Sequence, residues 1–137
     1  MSPTEYLDLI ATYGTAAATH VMNCVSLIFA YLVAAYLAGE KLTPFQVRSV
    51  SLIYSIFILF PAISGLDAVS KSFALTREFQ LEHPSLSEAY YPGGRWDGTF
   101  SQIWLVALAF VIFASWVLSL IFMARIRSHH SGWPGRD

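Results

Sequence analysis

Three long apolar runs constrain the fold of this chain more than any other feature. They cover residues 16–38, 47–66 and 102–124, and Arg48 is the one Asp, Glu, Lys or Arg within them. A helix rises 1.5 Å per residue, so each run is long enough to cross a hydrocarbon layer of ~30 Å. The sequence therefore predicts an all-α integral membrane protein with three transmembrane helices in a single membrane domain, residues 1–137.

The composition supports this prediction and excludes several classes of protein. The chain is 55% hydrophobic and 12% charged, whereas soluble domains have roughly 25% charged residues. Three spans occupy about half of the 137 residues, which leaves too little chain for a separate soluble catalytic or binding domain. Basic residues are too few and too scattered for nucleic-acid binding. The first apolar run is too long for a secretory signal, so we expect it to act as its own insertion signal.

Two sequence motifs mark where the first two helices begin. Ser2-Pro3-Thr4-Glu5 and Thr43-Pro44-Phe45-Gln46 both fit a capping box with proline at the first helical position. They predict helices over residues 3–38 and 44–81, each much longer than the bilayer core. We expect both helices to extend beyond the bilayer on its outer side. The remaining segments are predicted as an outer loop over 82–98, a helix over 99–127 and a flexible tail over 128–137.

The two extensions have apolar stripes through which they can pair as antiparallel helices. The prediction places one group of residues against the other: Tyr6, Leu9, Ile10 and Tyr13 against Leu66, Val69 and Phe73.

Lysine and arginine beside the spans predict the orientation, because cytoplasmic loops carry an excess of both. One side of the membrane would hold five basic residues, Lys41, Arg48, Arg125, Arg127 and Arg136, and the other would hold three, Lys71, Arg77 and Arg95. This places the amino terminus outside and the carboxyl terminus in the cytoplasm, in a bacterial-type inner membrane or a plasma membrane.

Polar residues inside the apolar runs are the first candidates for function. His20 and Asn23 share a face of the first helix, and Ser26 continues a stripe of polar and small residues along it. Because polar groups are costly in lipid, we expect this stripe to face protein or water. Interhelical hydrogen bonding, a pore lining, and metal or haem ligation through His20 are the alternatives. Ser51 and Ser55 on the second helix are further candidates for interhelical hydrogen bonds.

Charged and aromatic residues near the ends of the runs form a second group of candidates. Asp67 is followed by Glu78, Glu82 and His83 at near-helical spacing, which suits either a solvated helix face or acid-base chemistry. Tyr90, Tyr91 and Trp96 precede the third run, and such rings favour the headgroup zone. They predict an interfacial anchor or, as the alternative, a ligand or lipid-head site.

The functional hypotheses are those that remain once the known enzyme and ligand-binding motifs have been looked for in the sequence. The chain contains no catalytic, metal-binding or phosphate-loop signature, so no enzyme activity and no cofactor are predicted. We expect a small polytopic protein that acts by assembly in the lipid bilayer, as a homo-oligomer or as a non-catalytic subunit of a larger membrane complex. The alternative is a homo-oligomeric ion channel with Asp67 at its outer mouth. A membrane enzyme using His20, Asp67 or His83 has the least support.

The orientation is directly testable with reporters. A reporter fused after Asp137 should be cytoplasmic and one placed before Ser2 should be external, because Arg125 and Arg127 retain the end of the third span inside. Protease accessibility of the two fusions in intact cells measures this. Both termini on one side would mean an even number of crossings.

Overall fold

The computed structural model describes residues 1–39, 41–90 and 98–130, and they are almost entirely helical, without strands. Four helices follow in order: α1 Pro3–Ala38, α2 Pro44–Glu82, α3 Pro84–Tyr90 and α4 Gly98–His130. Three of them, α1, α2 and the stretch Ser101–Ile126 of α4, are long and apolar enough to cross a membrane. The prediction of an all-α chain with three such helices is confirmed.

Capping boxes begin both long helices. The backbone N–H of Ser2 donates to Glu5 Oε2 at 2.8 Å, and the N–H of Glu5 donates to Ser2 Oγ at 3.3 Å. Thr43 and Gln46 repeat the same exchange at 2.8 and 3.3 Å. Each box satisfies backbone donors that the first helical turn leaves without partners.

Helices α1 and α2 form a long antiparallel hairpin, whose loop end lies at residues 39–43 and whose open end carries Pro3 and Glu82. Side chains meet along its whole length. From the open end to the loop end, the contacts are Tyr6 with Phe79, His20 with Gly65, and Tyr31 with Tyr54.

This register differs from the pairing that the sequence predicted at the open end. Tyr6 packs against Phe79 and His83, with ring centroids 6.0 and 6.2 Å away, which lie further along α2 than the predicted Leu66, Val69 and Phe73 group. Leu9, also assigned to the interface, is 36% exposed. The helices approach closely at Gly65, where a Cβ would lie 3.1 Å from the Cβ of His20, so glycine suits this position of the interface.

Helix α4 packs against the hairpin near its loop end. Met123 is 1% exposed and joins the main hydrophobic core with Cys24, Tyr31, Tyr54 and others. At the loop itself, a Cβ on Gly39 would lie 3.4 Å from Cγ2 of Ile126. The core of the protein is therefore concentrated where all three long helices meet.

The remaining segments differ in detail from the predicted loop and tail. Helix α3 occupies residues 84–90 within the stretch 82–98, for which the sequence indicated irregular structure, and it contacts α2. Helix α4 continues to His130, beyond the predicted end at residue 127. Residues 91–97 and most of the predicted tail, 131–137, lie outside the described residues.

Packing at the open end can be tested with two substitutions on α2. Phe79 is completely buried, whereas Leu81, two residues further on, is 74% exposed. Phe79→Ala should destabilise the protein by about 3–5 kcal/mol, the usual cost of removing a buried phenylalanine, and Leu81→Ala should have little effect. Thermal unfolding in detergent compares the two. Equal losses would show that the open end is not packed as described.

Candidate functional site

A pair of tyrosines holds α1 against α2 near the loop end. The rings of Tyr31 and Tyr54 stack with centroids 4.0 Å apart and planes inclined by 14°. Both residues are buried, at 4% and 6% exposure. The hydroxyl of Tyr31 lies 2.7 Å from Oγ of Ser51, so the polar tip of this ring has a partner on α2. Buried tyrosine hydroxyls generally need such a partner.

Two further hydrogen bonds join α2 to α4. The hydroxyl of Tyr54 lies 3.0 Å from Oγ of Ser119, and the indole Nε1 of Trp116 donates to Oγ of Ser55 at 3.2 Å. Aromatic side chains therefore contact serines across both helix interfaces. We call these six residues the tyrosine-serine network: Tyr31, Ser51, Tyr54, Ser55, Trp116 and Ser119.

In the hydrogen bonds between α2 and α4, each serine is the acceptor, because its own hydroxyl proton is donated to a backbone carbonyl. Ser119 donates its hydroxyl proton to the carbonyl of Trp116 at 2.6 Å, so its oxygen must accept the proton of Tyr54. Ser55 donates to the carbonyl of Ser51 at 2.8 Å and accepts from Trp116. Each serine is thus both donor and acceptor, which leaves neither with an unused proton.

The network places Ser51 and Ser55 in interhelical hydrogen bonds. Sequence reasoning did not select their aromatic partners Tyr31, Tyr54 and Trp116. The signal that could have found them is a hydroxyl or indole N–H inside an apolar run, because such groups need a partner where water is excluded.

His20 faces α2 through its contact with Gly65. Its Nδ1 atom is buried and makes no hydrogen bond with any residue that the structure describes. The structure therefore places His20 at the helix interface, but not within the tyrosine-serine network.

Asn23, three residues after His20, and Ser26 are both exposed. Neither side chain makes a hydrogen bond within the described part of the chain. The threonines of the same stripe differ: Thr12, Thr15 and Thr19 each donate to the carbonyl four residues earlier, at 2.8–2.9 Å. Asn23 is consequently the polar side chain of this stripe with the largest unmet hydrogen-bonding capacity.

Asp67 lies on the surface of α2 and forms an ion pair. Its Oδ2 is 2.7 Å from Nζ of Lys71, and the two side chains are 57% and 51% exposed. The Lys71 ammonium also lies 5.8 Å from the centre of the Tyr13 ring. An ion pair this exposed contributes only ~0–1 kcal/mol to stability, but it compensates the charge of the carboxylate.

Three of the other sequence candidates, Glu78, Glu82 and His83, lie around Tyr6 at the open end of the hairpin. Tyr90 is 59% exposed in α3, whereas Tyr91 and Trp96 lie outside the described residues. His83 packs beside Tyr6 and Phe79, and its Nε2 is buried without a partner. Among the described residues, no group of three or more His, Cys, Asp and Glu could hold a metal ion.

Comparison with known proteins identifies no protein similar to this chain. No family model matches the chain, and neither the curated proteins nor the solved structures contain a significant match.

The hydrogen bond between Tyr54 and Ser119 can be measured with a double-mutant cycle. Tyr54→Phe, Ser119→Ala and the double variant should show a coupling of about 0.6 kcal/mol, the average for interhelical hydrogen bonds in membranes, and at most ~1.7 kcal/mol. Unfolding in detergent gives the free energies. Tyr36→Phe is the matched control, because Tyr36 is 73% exposed and should not couple to Ser119. Zero coupling at Tyr54 would contradict the assigned bond.

Proposed function

We propose that this protein acts by assembly, as a homo-oligomer or as a non-catalytic subunit of a larger membrane complex. One observation carries the proposal: Asn23 is exposed within the first apolar run and has no hydrogen-bond partner among the described residues. A primary amide has two donors and two acceptor sites, and lipid tails satisfy none of them. A neighbouring protein surface would satisfy them.

The surroundings of Asn23 support contact with another helix. At 3.6 residues per turn, Thr19, Asn23, Ser26 and Ala30 lie along one exposed stripe of α1. Small and hydroxyl-bearing residues let helix backbones approach closely, and they are typical of helix interfaces in membranes. We call this stripe the Asn23 face.

The Asn23 face is separate from the surfaces that α1 uses within the chain. The buried residues Cys24, Tyr31 and Ala35, which face α2, lie roughly one third of the helix circumference away from it. Large apolar side chains, such as Met22 and Phe29, are exposed on the remaining third, as expected for a surface in contact with lipid tails. The polar stripe is thus left for a partner.

We further propose that the amino terminus is external and the carboxyl terminus cytoplasmic, and that the open end of the hairpin extends beyond the outer surface of the bilayer. The support is the excess of Lys and Arg beside the loop end and the lengths of α1 and α2, 36 and 39 residues. A helix of that length measures over ~50 Å.

The channel alternative depended on Asp67 as an acidic residue at a pore mouth. Asp67 pairs with Lys71 at the surface of α2, so it would bring less negative charge to a pore mouth than a free carboxylate. Assembly without conduction is the better-supported function.

Assembly is tested by separate substitutions in two surfaces of α1: the Asn23 face and the surface with Met22 and Phe29 that is expected to contact lipid. Asn23→Leu should reduce the oligomeric fraction of detergent-solubilised protein several-fold, as measured by light scattering, because it removes the interhelical hydrogen bonds. Met22→Leu is the matched control and should leave the fraction unchanged.

Cross-linking in the native membrane identifies the contact independently. In a Cys24→Ala background, Ala30→Cys should form disulfides between chains, and the neighbouring Phe29→Cys should not. A monomeric wild-type protein without any cross-linked product in its own membrane, to itself or to another subunit, would contradict assembly. Equal cross-linking at both positions would contradict the assignment of the face.

A further inference from the structure

An open apolar groove runs between α1 and α4 on the side of the hairpin near its loop end. Its volume is about 700 Å³, and its walls include Leu32, Tyr36 and Leu37 from α1 and Leu118 and Phe122 from α4. This volume lies within the range of ~300–1,000 Å³ typical of sites that bind small molecules. The groove opens sideways from the helices, where lipid tails would surround the protein.

The walls of the groove favour a lipid chain over another helix. Helices gain little by exchanging lipid tails for equally apolar side chains, so their interfaces depend on small residues and hydrogen bonds. Here most of the lining side chains are large and apolar, and the hydroxyl of Ser119 is already bonded to Tyr54 and Trp116. Ser115 and Tyr36 carry the other two hydroxyls of the lining. Ser115 is small enough to form no obstacle to an acyl chain, and Tyr36 is 73% exposed.

Two exposed basic residues follow the groove-lining segments of α1 and α4 toward the loop end. Arg125 follows Phe122 by three residues on α4, on the same face of the helix, and is exposed. Lys41 is exposed in the turn that follows α1, four residues after Leu37, and its backbone N–H donates to the carbonyl of Ala38 at 3.0 Å. Tyr36, which is 73% exposed, adds an amphipathic ring of the kind found at the headgroup level.

We propose that this groove binds one acyl chain of an anionic phospholipid, whose phosphate lies near Lys41 and Arg125. The apolar walls accept the chain, and the two cations select the negative headgroup, since basic residues next to a span attract anionic lipids. On α1 the groove covers residues 28–37, nearer the loop end than Asn23, and Val33 and Leu37 lie two helical turns after Ser26 and Ala30 of the Asn23 face.

Native mass spectrometry of the detergent-purified protein tests the proposal with two lipids of the same acyl chains. Palmitoyl-oleoyl phosphatidylglycerol should give a several-fold larger adduct than palmitoyl-oleoyl phosphatidylcholine. Lys41→Gln with Arg125→Gln should bring the ratio of the two adducts close to one. Arg77→Gln, at an exposed position near the open end, is the charge control and should leave the ratio unchanged.

The groove itself is tested by filling it. Leu118→Trp should reduce both adducts several-fold, whereas Val106→Trp, at an equally exposed position of α4 outside the groove, should reduce neither. Val33→Trp fills the groove from α1 and serves as a second variant if Leu118→Trp does not fold.

Three results would overturn the proposal. An anionic preference that survives the loss of both cations would place the headgroup elsewhere. Adducts unchanged by both groove-filling variants would place the chain elsewhere. Filling variants that dissociate an oligomer while leaving lipid adducts intact would make the groove an interface with another helix.

Discussion

Polar groups that are shielded from water are costly without hydrogen-bond partners, and the tyrosine-serine network supplies such partners where the three long helices meet. The stacked rings of Tyr31 and Tyr54 hold α1 and α2 together, and the bond from Tyr54 to Ser119 brings α4 to the same place. Because each hydroxyl has one proton, the bond from Ser119 to the Trp116 carbonyl also decides which group donates. The core therefore lies near the loop end of the hairpin.

The position of α4 has consequences for the surface of the protein. Helix α4 covers one side of the hairpin and leaves another side of α1 uncovered, where Asn23 and Ser26 are exposed. It also creates the groove walled by Leu118 and Phe122. These two surfaces differ in chemistry: unsatisfied amide and hydroxyl groups require a protein partner, whereas large apolar side chains are compatible with lipid. The proposals of assembly and of lipid binding rest on this difference.

Some structural features were predictable because their causes are local. The capping boxes at Ser2 and Thr43 depend on side chains three residues apart, so the sequence alone indicates where α1 and α2 begin. The facing residues of the two helices were less predictable. Both helices carry long apolar stripes that allow several registers, and only contacts between distant residues, such as His20 with Gly65, distinguish one register from another. For that reason Tyr6 packs further along α2 than the predicted group of residues, although its place at the interface was expected.

The sequence by itself determined that the chain is helical and has three helices able to cross a membrane, because uncharged apolar length is a property of consecutive residues. It also singled out Asn23 and Ser51 as polar residues that need partners. Only the tertiary structure decided that Ser51 has a partner within the chain and Asn23 does not among the described residues. That distinction depends on how the helices are rotated and paired, and rotation is set by contacts between residues distant in sequence.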